Sequence, residues 1–388
     1  AGRDEIRAWC GKIGRWRQHD AIRASFPGLF NNFAVEELGV RADQIGLIQS
    51  IREVPGLLGF WLAFLALVLV ETEVLSLSVI LLGIGMIATG LSHTWTTLVI
   101  GTLITSVGFH AFYPNSSSVA LMVTDKRGAA PLLGRLGGVG ALAAVVAMGS
   151  IYLLFKHLGF RNLFVWTGVL VMVGGALTWR RQPRRDGEER RRKVVLRRRY
   201  WLYYVLTFLM GSRRHIFTTF AIFLLVKNFG LPTQQTALLY LVNSVLNVFA
   251  APRAGKLVAR YGERATLTLT FGLLIGIFVG YATLNSLLVL EVLFVLDNLL
   301  FSFGVALNSY FKRIAVSEEE ITSNLSLAQT INHIAAIFVP VAGGLIWEAF
   351  GASTTFAAGA AIVFVSLILT QFIRPEVAAS APAPTIAT

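Results

Sequence analysis

Long apolar runs constrain this chain of 388 residues more than any other feature. They fall at roughly 43–70, 74–92, 95–123, 134–156, 160–179, 200–226, 233–252, 265–284, 287–311, 327–347 and 352–373. About 20 apolar residues cross the hydrocarbon core of a bilayer as a helix. In lipid only helices and closed barrels satisfy their own backbone hydrogen bonds, and these runs are too long for barrel strands. Composition agrees: charged residues make up 14% of the chain, against about one quarter in soluble domains. The sequence reads as an all-α integral membrane protein.

A twelfth stretch, 21–40, is interrupted by Arg23, Asn31, Asn32, Glu36 and Glu37 and on hydropathy alone suits an interfacial helix. Charge asymmetry argues that it crosses. With that span included, 26 of the 34 Lys and Arg fall in the N-terminal tail, in the loops on its side and after the last helix. The opposite loops hold four: Arg41, Lys156, Arg161 and Lys227. The positive-inside rule then puts both termini in the cytoplasm, with an even number of crossings of the cytoplasmic (inner) membrane.

An internal repeat supports six helices per half. Phe30-Asn-Asn-Phe-Ala-Val echoes Phe217-Thr-Thr-Phe-Ala-Ile at an offset of 187, and Gly159 and Gly351 open the last helix of each half at an offset of 192. The expected organisation is a six-helix bundle over 1–179, a basic linker over 180–199, a second bundle over 200–375 and a disordered tail over 376–388. The net charge of +13 owes much to that linker, where eleven Lys and Arg fall between Arg180 and Arg199. With no aromatic interleaving and no recognition module, it suits anionic lipid headgroups rather than nucleic acid. Cys10 is the only cysteine, so an intramolecular disulfide is impossible. The chain opens Ala-Gly-Arg without a signal-peptide pattern, and the missing Met points to processing or trimming.

Between the eighth and ninth runs stands Gly255-Lys-Leu-Val-Ala-Arg-Tyr-Gly-Glu-Arg264. With the six-plus-six organisation, this segment resembles the loop motif of the major facilitator superfamily (Gly-x-Leu-Ala-Asp-Arg-x-Gly-Arg-Arg). Gly255, Leu257, Arg260, Gly262 and Arg264 fit, and Ala259 replaces the Asp. The resemblance implies a gating turn whose arginines meet helix C-termini and carboxylates. The first-half counterpart, Val70-Glu-Thr-Glu-Val74, has neither Gly nor Arg, and the family's arginine in the fourth helix is missing. The resemblance also implies a central cavity lined by the first, fourth, seventh and tenth helices, with substrate and coupling-ion sites near the midplane.

Ionisable groups inside spans are costly and mark candidate sites. The seventh helix offers Arg213, Arg214 and His215, which point about 100° apart in succession. The tenth supplies Asp297 and Asn298, the fourth His110, Tyr113 and Asn115 beside Pro114, the second Arg52 and Glu53, and the eleventh Asn332 and His333. Arg213, Arg214, His110, Tyr113, Asn31 and Asn298 are the candidate substrate contacts. Asp297 and Glu53 are the candidate proton-coupling groups. Each also fits a structural ion pair, Arg213 or Arg214 with Asp297 or Glu53 above all.

No Gly-x4-Gly-Lys-Ser/Thr run, nucleophile elbow or metal-ligand spacing occurs, so no cofactor, metal or enzymatic activity is expected. The leading expectation is a monomeric, proton-coupled secondary transporter (a symporter) that moves a small organic anion by alternating access. Export of hydrophobic or cationic compounds is the second reading. A non-transporting receptor or assembly factor on the same fold is the third.

Overall fold

The computed structural model describes residues 29–59, 69, 71–122, 129–179 and 196–374, and among these every regular element is helical. Helix α1 covers 29–36 and α2 Ala42–Leu57; α3 (Glu71–Gly90) and α4 (Trp95–Met122) follow. Ala129–Thr178 breaks at Gly159 into α5 (129–158) and α6 (160–178). Past a short 3-10 turn, α7 runs Trp201–Phe229. Thr233–Thr283 breaks at Gly262 into α8 (233–261) and α9 (263–283). Helix α10 runs Leu287–Leu300, tightens into a 3-10 turn at Phe301–Gly304 and resumes at Val305–Ile314. Then come α11 (Glu318–Phe350) and α12 (Ala352–Thr370).

Eight stretches among the described residues are long and apolar enough to cross a bilayer. Large apolar side chains such as Leu153, Leu177, Leu288, Phe338 and Phe350 are well exposed around the bundle, as a lipid-facing surface requires. Helix α1 explains why hydropathy undersells its stretch. Asn31 and Asn32 are almost fully buried, and Phe33 packs on Phe160 and Phe164 with ring centroids 5.8 and 5.4 Å apart. These two asparagines face protein, not lipid. The terminal tails, residues 180–195 of the linker and the stretch 21–28 lie outside the described residues.

A shared cap links the first and seventh helices, in a register that differs from the sequence echo. Helices α1 and α7 end in the same cap. Val40 N–H donates to Ala34 O (2.9 Å) and Gly39 N–H to Val35 O (3.2 Å), while Leu231 N–H donates to Leu225 O (3.0 Å) and Gly230 N–H to Val226 O (3.1 Å). Both helices thus end on a glycine at the left-handed position (φ 59° and 65°). The caps stand 191 residues apart, and Gly159 and Gly351 stand 192 apart. The echo of Phe30 in Phe217 is therefore four residues out of register. A slip of four keeps a residue on nearly the same helix face, so the same pattern recurs one turn away.

Loop contacts sort the chain into two ends. At one end Arg161 reaches Glu37 (3.6 Å) and the carbonyl of Ser92 (3.0 Å). At the other, Glu263 meets Arg313 (3.3 Å) and Ser309 (3.1 Å), Tyr200 donates to Glu320 (2.5 Å), and Arg264 donates to Gln371 (3.2 Å). The halves join at the Gly39 end. Asn32 Nδ2 donates to Leu231 O (2.8 Å) and Ala42 N–H to Glu348 (2.9 Å). Helices α2 and α11 approach so closely there that a Cβ on Gly46 would lie 2.2 Å from Pro340 O, and one on Gly344 would lie 2.5 Å from Ala42 O.

Candidate functional site

A cavity of about 200 Å³ opens between the halves on the far side of that seam. Phe30 and Asn31 of α1 line it with Gln49, Arg52 and Glu53 of α2. The second half supplies Arg214, His215, Thr218 and Thr219 of α7 and Tyr240 of α8. The lining therefore comes from the first and second helices and their repeat partners, the seventh and eighth. Among the described residues, the fourth and tenth helices, expected from the resemblance, contribute no lining residue.

The two adjacent arginines of α7 diverge as helical geometry requires. Arg214 lines the cavity, its guanidinium carbon 4.4 Å from the Phe301 ring centroid. Arg213 points to α10, where it donates to Asp297 at 2.8 Å, with both side chains at most 4% exposed. It approaches the same Phe301 ring at 5.7 Å. Phe301 begins the 3-10 turn of α10, a place where the helical hydrogen-bond ladder changes pitch and a hinge is commonly found. Asn298 does not line the cavity; its amide donates to Phe294 O of its own helix (2.8 Å).

On the first-half side, Arg52 donates to Gln49 (2.9 Å) and lies 5.8 Å from the Phe30 ring centroid. Its neighbour Glu53 diverges toward α4 and α11. Glu53 Oε2 lies 2.9 Å from His333 Nδ1 and 3.8 Å from His110 Nε2, and the two imidazole centroids are 5.3 Å apart. Ser106 shapes this corner, donating through Oγ to the Arg52 carbonyl and lying 3.1 Å from His110 Nδ1. Gly56 leaves room for both rings: a Cβ there would stand about 2.5 Å from each. His110 thus sits one residue behind the cavity wall. Tyr113 lies on α4, but its side chain is outside the described residues, as are those of Pro114 and Asn115.

The loop motif forms its contacts through partly different residues from those that fit the family pattern. Gly262 takes φ 79° and ψ 165°, a conformation only glycine adopts readily, and ends α8. Glu263 supplies the carboxylate for Arg313, in a motif where Ala259 stands in place of the usual Asp. Arg260 lies over the ring of Tyr261 (5.3 Å), and Arg264 donates to Gln371. Gly255 is inside the helix with open space around it.

Sequence reasoning did not single out Gln49, Thr218, Thr219 or Tyr240. Thr218 had a usable signal, since it stands four residues from Arg214 and shares its face. Tyr240 had none, because nothing in α8 distinguishes a cavity-facing tyrosine from a packed one.

A search of curated proteins returns no match. Among solved structures, a point mutant of the nucleoside transporter NupG superposes with a TM-score of 0.79 at 14% identity, over 93% of this chain and 98% of its own. A bacterial homolog of the human lysosomal transporter Spinster, in an inward-facing and occupied conformation, gives 0.76 at 14% identity, over 94% and 96%. At such identity these likenesses establish fold alone. The sequence profile described as Major Facilitator Superfamily matches residues 21–315, and this chain, a multi-pass membrane protein with a transporter fold, belongs to that superfamily.

Proposed function

We propose that the chain is a proton-coupled secondary transporter that carries a small organic anion across the cytoplasmic membrane by alternating access. The observation that carries this reading is the cavity shared by the two halves, where among the described lining residues Arg52 and Arg214 stand against one carboxylate, Glu53. A low-dielectric pocket with excess positive charge favours an anion. Thr218, Thr219, Gln49 and Asn31 offer further hydrogen bonds to orient it.

Twelve crossings, with both termini cytoplasmic, fit the paired caps and the distribution of basic residues. On that topology the sealed Gly39 end is the outer one, and the conformation is open toward the cytoplasm. Proton coupling is assigned to the Asp297–Arg213 pair. Protonation of Asp297 releases Arg213 beside the 3-10 turn of α10, and Phe301 carries that change to Arg214. A neutral polar solute such as a nucleoside is the second reading, favoured by the uncharged donors and by Phe30 and Tyr240 flanking the same cavity.

Liposomes holding a pH-sensitive dye and given carboxylates, phosphates, nucleosides, sugars, amino acids and lipophilic cations separate these readings. Proton movement with one anion class is expected. Arg214→Gln should then raise KM about tenfold to a hundredfold, as loss of a charge-assisted hydrogen bond does. Movement only with nucleosides selects the second reading, and movement only with lipophilic cations overturns both.

A further inference from the structure

Glu53, His110 and His333 come from α2, α4 and α11, and their ligand atoms all lie within 4.8 Å of one another. We propose that they form a binding site for a zinc-class divalent cation that bridges the two halves of the protein.

The argument begins with the His110 tautomer. Its Nδ1 lies 2.9 Å from the backbone carbonyl of Ser106. A carbonyl oxygen has no proton to give, so Nδ1 is the donor, and in the neutral ring Nε2 carries a lone pair. That lone pair faces the Glu53 carboxylate oxygen at 3.8 Å, too far for a hydrogen bond. Two acceptors face each other, an arrangement that a cation between them satisfies. A ring whose other nitrogen donates to a backbone carbonyl is also the usual support of a metal-ligating histidine.

The distances suit zinc. Ligand atoms held about 2.0–2.1 Å from a tetrahedral ion lie about 3.3 Å from one another. Here the His110 and His333 nitrogens stand 3.8 and 2.9 Å from Glu53 Oε2, on either side of that value. Shifts of a few tenths of an ångström bring those two distances to it. On binding, His333 changes tautomer: Nδ1 gives its proton to water, Nε2 takes one from water, and the Nδ1 lone pair so freed takes the metal in place of the hydrogen bond to Glu53. Two imidazoles and one carboxylate leave a fourth position open toward the cavity that Glu53 lines. Nitrogen ligands select zinc-class ions over magnesium and calcium, which prefer all-oxygen shells. Arg52, the nearest fixed cation in sequence, donates to Gln49 and lies beside the Phe30 ring.

Zn²⁺ alone is the probe. Untagged full-length protein in detergent, titrated calorimetrically, should bind one Zn²⁺ saturably, with no heat from Mg²⁺ or Ca²⁺. His110→Ala and His333→Ala should each weaken binding at least about tenfold. His93→Ala, at an exposed loop position, should leave binding unchanged. X-ray absorption at the zinc edge of the wild-type complex supplies a readout that needs no variant, and should show an N/O shell containing two imidazoles. The proposal is overturned by absence of saturable binding, by well-folded histidine variants that bind as the wild type does, or by a shell without two imidazoles.

Discussion

Arg213 and Arg214 are adjacent and chemically identical, yet one is sealed in an ion pair and the other lines the cavity. The sequence shows that the two must diverge, because neighbours on a helix point about 100° apart. It does not show which faces inward, since nothing in α7 alone fixes the rotation of the helix about its axis. Likewise Glu53 is legible as costly inside a span, but its partners His110 and His333 are not. They arrive from helices distant in sequence, His333 at a separation of 280 residues. The Arg213–Asp297 pair makes a direct prediction. Removing one member of a buried pair leaves the other charge uncompensated, which costs about 3–5 kcal/mol, whereas replacing both with apolar groups is often neutral. Asp297→Asn should therefore lower the thermal midpoint in detergent, and Arg213→Met with Asp297→Leu should recover most of the loss. In liposomes, Asp297→Asn should abolish pH-driven uptake while sparing exchange at equal pH. Loss of both activities in a stable variant would count against the coupling role.

At the scale of elements, sequence located the helices well and their ends less well. Helix α11 begins at Glu318, nine residues before the apolar run at 327, because its first turns are held by polar contacts that hydropathy does not count. Glu320 accepts from Tyr200 at 2.5 Å and pairs with Arg197. The Tyr200 hydrogen bond, followed by that of Arg197, holds the Glu320 carboxyl below the usual carboxylate range. A depressed carboxylate contributes stability that is present above its unfolded value and lost as pH falls through the folded one. The difference in thermal midpoint between wild type and Glu320→Gln should thus be constant near neutrality and shrink below the usual carboxylate range. A difference that grows on acidification would refute the tie. The loop motif offers a second contrast. Gly262 sits at φ 79°, where a side chain costs about 1–3 kcal/mol, so Gly262→Ala should destabilise. Gly255 is helical with nothing within 4 Å of an added Cβ, so Gly255→Ala should stabilise by up to about 1 kcal/mol. Paired melts of the two variants test whether both glycines of the motif serve the turn or only Gly262.

At the scale of the whole molecule, a multi-pass helical fold was legible because the apolar runs are long and many. Which end is closed was not, because closure depends on glycine contacts between halves that leave no local pattern. Gly46 meets the Pro340 carbonyl, Gly344 meets that of Ala42, and Glu348 accepts from the Ala42 backbone. Backbone atoms meet backbone atoms along this seam, so no rotamer change relieves an added side chain there. Gln49, three residues beyond Gly46 on the same helix, already lines the cavity. A wedge at Gly46 therefore bears directly on access to the cavity from this end. In a transporter that alternates between two states, Gly46→Leu should shift the population toward opening of the Gly39 end by destabilising the closed seam alone. Maleimide labelling reads this out. With Cys10→Ser removing the native thiol and Asn31→Cys placing a new one in the cavity, an impermeant maleimide added outside intact cells should react several-fold faster in the Gly46→Leu background. Equal rates in two equally folded proteins would mean that this seam is a fixed support, and that access to the cavity is governed elsewhere.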